Sequence, residues 1–238
     1  MTSRRSEPFW GELYLRSTRP FLSAKATSDE RAFLARTFAG AQGPVVDLGC
    51  GHGRHLYAQP PGFVGVDFDR LSLEEARTCA PCAQADFFRL PLRTGSMGGA
   101  YGWYNALLTF EDERQQVLFA EVARALKPGA RFVVHTLPRG PLEAEPEARF
   151  DGALPDGSHL LEIARFDART GKDHTTRTLT TPDGRVMTAT YFIRYYFPEE
   201  LLALLEAVGF RADFMHGAAD GRPLGADATD LIVGVRRG

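Results

Sequence analysis

Val45-Val46-Asp47-Leu48-Gly49-Cys50-Gly51-His52-Gly53-Arg54-His55 is the stretch whose reading decides the fold. A short apolar run carrying one acid leads into three glycines spaced G-x-G-x-G. Glycines at alternate positions let the backbone turn tightly and approach a ligand with no Cβ in the way. A helix starting just beyond them would add its first free amides. A dinucleotide fingerprint needs its third glycine one place later, where Arg54 stands. An acid at Asp47 suits a ligand carrying an ammonium group better than a pyrophosphate.

Outward from this loop, β-rich runs alternate with helices. Val45–Leu48, Phe63–Val66, Ala100–Tyr104 and Phe132–Val134 read as strands of a parallel sheet covered by helices on both faces. Thr27 with Glu30, Ser72 with Glu75 and Asp112 with Gln115 have capping spacing at three helix starts. Pro198 opens a fourth helix and Gly209 closes it. Leu118, Val122, Ala125 and Leu126 make one apolar face that stops at Lys127-Pro128-Gly129.

One region breaks the alternation. Leu160–Ala168, Asp173–Thr181 and Arg185–Tyr196 read as three antiparallel strands, joined by the turns Arg169-Thr170-Gly171-Lys172 and Pro182-Asp183-Gly184. Phe210–Met215 and Asp230–Val235 predict a closing antiparallel hairpin. The fold class is therefore α/β: a Rossmann-like, doubly wound, mostly parallel sheet with a C-terminal hairpin and an inserted β-meander. The expected layout is a single domain over 1–238. Within it, 1–42 form an N-terminal leader with helices, 43–140 the ligand-binding core, 141–196 the meander, and 197–238 the last helix and hairpin.

The 238 residues carry a net charge of −2, with 44% hydrophobic and 24% charged residues. No basic field points to nucleic acid or an anionic membrane surface, no apolar run reaches membrane-spanning length, and no apolar signal core opens the chain. A cytoplasmic location is expected. Three cysteines, an odd number, do not make a secreted disulfide framework. Cys79-Ala80-Pro81-Cys82 has neither a second ligand pair nor a helix start to activate a thiol, so it reads as two incidental thiols. No histidine shows metal-ligand spacing, and no metal is expected.

Further features follow the glycine loop in order. Gly65-Val66-Asp67 ends the second strand 18 residues after Gly49, a carboxylate placed for a ribose diol. Asp86-Phe87 with Leu90-Pro91 follows the third strand, and Leu126-Lys127-Pro128-Gly129 precedes the fifth. Over roughly residues 43–136 the chain resembles the class I S-adenosylmethionine-dependent methyltransferases. The resemblance implies S-adenosylmethionine as cofactor and S-adenosylhomocysteine as product. Gly49, Cys50 and Gly51 would line the aminocarboxylate side, with Asp47 near the ammonium. Asp67, with Phe68 beside it, would hold the ribose, and Asp86 with the Phe87 amide the adenine. Only eight residues separate Arg54 from Phe63, so the helix after the loop is expected to be short.

Methyl transfer is an in-line displacement, so the acceptor must lie at the C-terminal edge of the parallel strands. His135 ends the fifth strand and Asn105 follows the fourth. Asn105 stands where DNA and glutamine methyltransferases continue with Pro-Pro, which Ala106-Leu107 replaces here, against amide or base-amine substrates. On the last meander strand Phe192, Arg194 and Tyr196 are expected to share a face, with Arg194 or Tyr196 toward the acceptor. Phe9-Trp10-Gly11-Glu12-Leu13-Tyr14 resembles a leader folding over the cofactor, or else a core-packing helix. The leading expectation is a small-molecule N- or O-methyltransferase with no nucleic-acid or membrane partner. An RNA or protein methyltransferase and a non-turnover cofactor-binding scaffold are the alternatives, with an NAD-dependent oxidoreductase last. An exposed meander edge would be a natural homodimer contact.

Overall fold

A computed structural model of the chain describes residues 10–225 and 227–238; Phe9 of the leader lies outside the described residues. In chain order the elements are α1 (Glu12–Thr18), α2 (Ala24–Thr37), β1 (Val45–Leu48), β2 (Phe63–Asp67), α3 (Arg70–Ala76), β3 (Cys82–Gln84), β4 (Met97–Gly102), α4 (Asp112–Ala125), β5 (Leu126–Thr136), α5 (Arg139–Ala144), β6 (Glu147–Ala153), β7 (His159–Asp167), β8 (Lys172–Thr180), β9 (Val186–Arg194), α6 (Pro198–Glu206), β10 (Phe210–His216) and β11 (Leu231–Arg237). They fall into two compact units. The larger is Ser23–Pro138 with Tyr195–Gly238; the smaller is Arg139–Arg194 with the described residues up to Leu22. The expected 1–42 leader is thus divided, α1 going with the meander and α2 with the core.

The larger unit is a seven-stranded sheet in the order β10-β11-β5-β4-β1-β2-β3. β1 to β5 run parallel, and β11 is antiparallel to both β5 and β10. The expected doubly wound sheet with a closing hairpin is what forms. The chain leaves β1 in one direction to β2 and later returns to its other side at β4, so the crevice beyond the end of β1 lies at the switch point where such sheets bind ligands. One face is covered by Leu118, Phe119 and Val122 of α4 and Leu201 and Leu205 of α6, packed on Phe132 and Val134. The other is covered by Phe33, Leu34 and Phe38 from α2 and its end, and by Leu73 of α3, against Val45, Phe63 and Val133.

Local differences from the expected layout have plain causes. Ser23, not Thr27, caps α2, its hydroxyl accepting from Ala26 N. Asp69, not Ser72, caps α3, accepting from Ser72 N at 2.7 Å. Asp112 is the first residue inside α4. β4 is Met97–Gly102, so Trp103 and Tyr104 lie beyond its end. No helix follows the glycine loop: residues 51–58 form successive turns, with Gly53 O accepting from Leu56 N and Tyr57 N, and Pro60-Pro61 stop any extension.

The smaller unit is a four-stranded antiparallel meander, β6-β7-β8-β9. Its first strand, β6, was not among the three expected, because Glu147, Arg149 and Asp151 give it a polar, loop-like reading. Leu13 of α1 is buried with Leu154, Leu160, Leu179, Met187 and Ala189. Trp10 stacks near Tyr14 and Tyr191, at 5.5 and 6.5 Å between ring centroids. The leader's aromatics therefore take the core-packing alternative within this unit. No described helix is long and apolar enough to cross a membrane.

Candidate active site

At the end of β1 the backbone turns through Gly49, Gly51 and Gly53, at φ of +81°, +52° and +84°. These glycines do different work. A Cβ on Gly49 would lie 2.7 Å from Ala106 Cβ, and one on Gly53 would lie 2.8 Å from Ala76 Cα, so both are required by packing. A Cβ on Gly51 would meet nothing within 4 Å. Gly51 alone of the three faces open space, as a residue lining a ligand cradle should.

The acids at the strand ends hold this loop. Asp67, at the end of β2, accepts from Gly51 N and from Asp69 N, both at 2.8 Å. Burial raises its carboxyl, against these amide bonds that lower it. Each oxygen keeps a second lone pair for a hydroxyl. Asp47 is 1% exposed, opposite Gly65 and Tyr101 in the sheet. Burial pushes it up to about 8, although the Tyr101 phenol and the Arg54 guanidinium both pull it down. Its Oδ2 and the Tyr101 hydroxyl are buried without a hydrogen bond of normal geometry. An orphaned, buried carboxylate oxygen beside an open glycine cradle fits the ammonium of an amino acid. Asp86 is exposed, its Oδ1 accepting from Phe88 N at 3.0 Å, and Phe87 is buried beside Gly49. Phe68 is 41% exposed just past β2. Cys50 and Cys82 flank Gly65, where a Cβ would lie 2.7 and 2.8 Å from their sulfurs. The neighbouring Cys82 thiol, burial and the Asp47 carboxyl push the Cys50 thiol up, so it stays protonated and apolar.

A half-buried ion pair beside the loop was missed from sequence. Glu30 of α2, read there as a capping partner, instead bonds Arg54, which also donates to Thr27 Oγ1 at 3.1 Å, and meets His55 Nε2 at 2.9 Å. Burial pushes Glu30 up, but His55 and Arg54 outweigh it and hold it at about 2. Burial lowers His55 to about 4. No local pattern links residues 25 positions apart, so the contact was visible only once α2 lay against the loop.

Beyond β4 the chain is strained. Tyr104 and Asn105 are consecutive non-glycine residues at φ +55° and +62°, a conformation that costs energy and concentrates at functional sites. The surroundings over-determine it. Asn105 N bonds His135 O, Asn105 Oδ1 accepts from Thr136 Oγ1 at 2.6 Å, and Asn105 Nδ2 donates to Tyr195 Oη at 3.3 Å. His135 is stacked on Trp103 at 4.4 Å and is 2% exposed. Its Nδ1 accepts from Tyr104 N at 3.0 Å, so Nε2 carries the proton and donates to Asp230 at 3.0 Å. Both ring nitrogens are thus committed, and His135 helps to hold the strained turn.

Two meander candidates also change. Arg194 ends β9, opposite Lys172, and is buried. Tyr196 lies past that strand in the larger unit, 1% exposed, with its hydroxyl donating to Asp112 at 2.7 Å. The expected shared face of Arg194 and Tyr196 does not form because the strand stops at Arg194. Tyr196 is a core residue, and its neighbour Tyr195 is the one that reaches Asn105.

Residues 45–129 match the family model described as a methyltransferase domain. That match spans the glycine loop and β1 to β4, the part of the chain that forms the candidate site. No curated protein matches it in sequence. Among solved structures the chain is similar to the CcbJ methyltransferase from Streptomyces caelestis (TM-score 0.76, 20% identity, 92% of this chain and 98% of that one). It is similar also to the sugar N-methyltransferase KedS8 from Streptoalloteichus sp. (0.69, 19%, 100% and 98%). A third is CalS10, an amino pentose methyltransferase from Micromonospora echinaspora, with S-adenosylmethionine bound (0.66, 16%, 98% and 100%). At such identities the likeness speaks to the fold.

Proposed function

We propose that the chain is an S-adenosylmethionine-dependent methyltransferase and that it methylates the amine nitrogen of a small, sugar-like acceptor. The observation that carries the reading is the commitment of both His135 nitrogens. A hydroxyl acceptor needs a base to take its proton during transfer. A neutral amine attacks with its own lone pair and releases a proton to water afterwards, so alignment and water exclusion suffice. The names of structurally similar proteins, a sugar N-methyltransferase and an amino pentose methyltransferase among them, support the same class.

In this reading the sulfonium of S-adenosylmethionine supplies an electrophilic methyl carbon. Asp47 takes the ammonium, and Gly49, Cys50 and Gly51 line the amino-acid portion. Asp67 accepts from the ribose hydroxyls with its spare lone pairs while holding the Gly51 amide, Phe68 packs at its side, and Asp86 with Phe87 receives the adenine. Asn105, fixed by Thr136 and Tyr195, sets the turn at which the acceptor amine is aligned.

The test offers methyl-labelled cofactor to a panel of amino sugars and to the same sugars with hydroxyl replacing the amine. Mass spectrometry then locates the label. N-methyl product from the amines alone is the expected result. Label on oxygen, or label transferred only to added RNA or protein, overturns the proposal, and cofactor binding without transfer to any of these supports a scaffold instead.

A further inference from the structure

We propose that the outer edge of β6 pairs with the same edge of a second copy of this chain, about a two-fold axis through Phe150. Among the described residues β6 pairs only with β7, and Glu147–Asp151 and Ala153 are exposed. An open, regular edge of this kind is a template for another strand.

The hydrogen bonds fix which backbone groups are on offer. Pro146 O accepts from Phe166 N at 2.7 Å, and Leu154 N donates to Ser158 O at 2.8 Å. Backbone groups alternate in direction along a strand. The even-numbered positions from 146 to 154 therefore face β7, and Glu147, Arg149, Asp151 and Ala153 direct their N–H and C=O outward. An axis through Phe150 sets Arg149 opposite Asp151 of the partner subunit and Glu147 opposite Ala153 of the partner subunit. Every such pair joins two outward-facing positions, as a ladder requires.

Charge separates this register from those centred on Arg149 and Asp151, and one centred on Ala148, which would set Glu147 opposite Arg149 of the partner subunit, is distinguished by substitution at Asp151. Opposite charges directly across a ladder stabilise it, and like charges oppose it. Moving the axis to Arg149 would put that arginine opposite its own copy and Glu147 opposite an aspartate. Moving it to Asp151 would put two aspartates face to face. The Phe150 register alone of these three makes two Arg–Asp pairs. The aromatic residues agree, since Phe150 (38% exposed) meets Phe21 (55% exposed) edge-on at 5.3 Å. The axis would bring two such exposed pairs together.

The experiment is sedimentation velocity across a dilution series. The parent is expected to associate to the mass of two chains. Asp151→Arg, which sets arginine opposite Arg149, should shift it to monomer, and Arg149→Asp should do the same by setting two acids together. Combining both substitutions restores the pairing and should restore the dimer. Asp151 also meets His159 at 2.9 Å and Arg149 of its own chain at 2.5 Å, a pair that the single swaps break and the double swap restores, so folding of each variant is checked by circular dichroism, and a second readout, independent of these charges, covers a misfolded one. Phe150→Cys places two thiols at a non-hydrogen-bonded pair, about 4.5 Å apart at Cα and within reach of a disulfide. Air oxidation should then give a reducible covalent dimer. A parent that stays monomeric to its solubility limit, a dimer indifferent to the single charge swaps, or no cross-link through Phe150→Cys each overturns the proposal.

Discussion

Asp47 and Asp67 stand at the ends of neighbouring strands and are both buried, yet they respond differently to replacement. Asp47 carries an orphaned oxygen and titrates at about 8 in the fold. Its folded pKa lies above the unfolded one, so between roughly pH 4 and pH 8 the unfolded chain has lost a proton that the fold retains, and stability falls as pH rises. Asp47→Asn removes that loss. Its melting temperature should exceed the parent's by a margin that widens from pH 4 to pH 8, while calorimetric affinity for S-adenosylhomocysteine drops; a constant margin would mean that Asp47 does not titrate as described. Asp67→Ala should weaken the same titration by about 2–3 kcal/mol, roughly 30- to 150-fold, through loss of charge-assisted hydrogen bonds. Gly51→Val separates ligand from fold: no atom of the protein opposes its Cβ, so the left-handed φ costs about 1–2 kcal/mol of stability. Cofactor binding should vanish from a folded protein, and normal binding by that variant would show that the loop does not approach the ligand.

At the scale of elements, α2 clamps the glycine loop through Glu30. Removing one partner of a fully buried ion pair costs about 3–5 kcal/mol, which sets the upper bound for this half-buried one. Glu30→Ala should therefore lower the melting temperature and weaken cofactor binding together. The carboxyl lies at about 2 in the fold, below its unfolded value, so its contribution is present above about pH 4.5 and lost as pH falls toward 2. Parent and variant melting curves should converge over that interval, and curves that stay parallel would remove the ion pair from the account. The elements differ in how plainly sequence announces them. β1 and β2 are buried on both faces and read as apolar runs, and the glycines and Asp67 declare themselves by order and spacing. β6 stands at an exposed edge, where alternating charges look like a loop. Cap positions were misread by roughly a turn at α2 and α3, because Ser23 and Thr27, or Asp69 and Ser72, can all cap. Which one does is set by where the buried face must start. Glu30 and Tyr195 reach the site across 24 and 90 residues of chain, and only the assembled sheet brings them there.

At the scale of the whole molecule, an insertion after β5 and the segment before α2 come together as a unit with its own core. Sequence order hides that partnership, because α1 precedes the meander by more than a hundred residues. Leu13 is its test. It is 2% exposed against Leu154, Leu160, Leu179 and Met187, all in the smaller unit. Leu13→Ala should cost about 2–5 kcal/mol through lost burial and the cavity left behind. If the two units open independently, as cooperative substructures of proteins often do, the loss stays local. Hydrogen exchange should then quicken at the β6–β9 amides and remain as before in β1, β4 and β5, with S-adenosylhomocysteine affinity unchanged because the residues proposed to bind it lie in the larger unit. Equal acceleration of the amides in both units would show that they unfold together, and that the meander contributes to the stability of the cofactor-binding sheet.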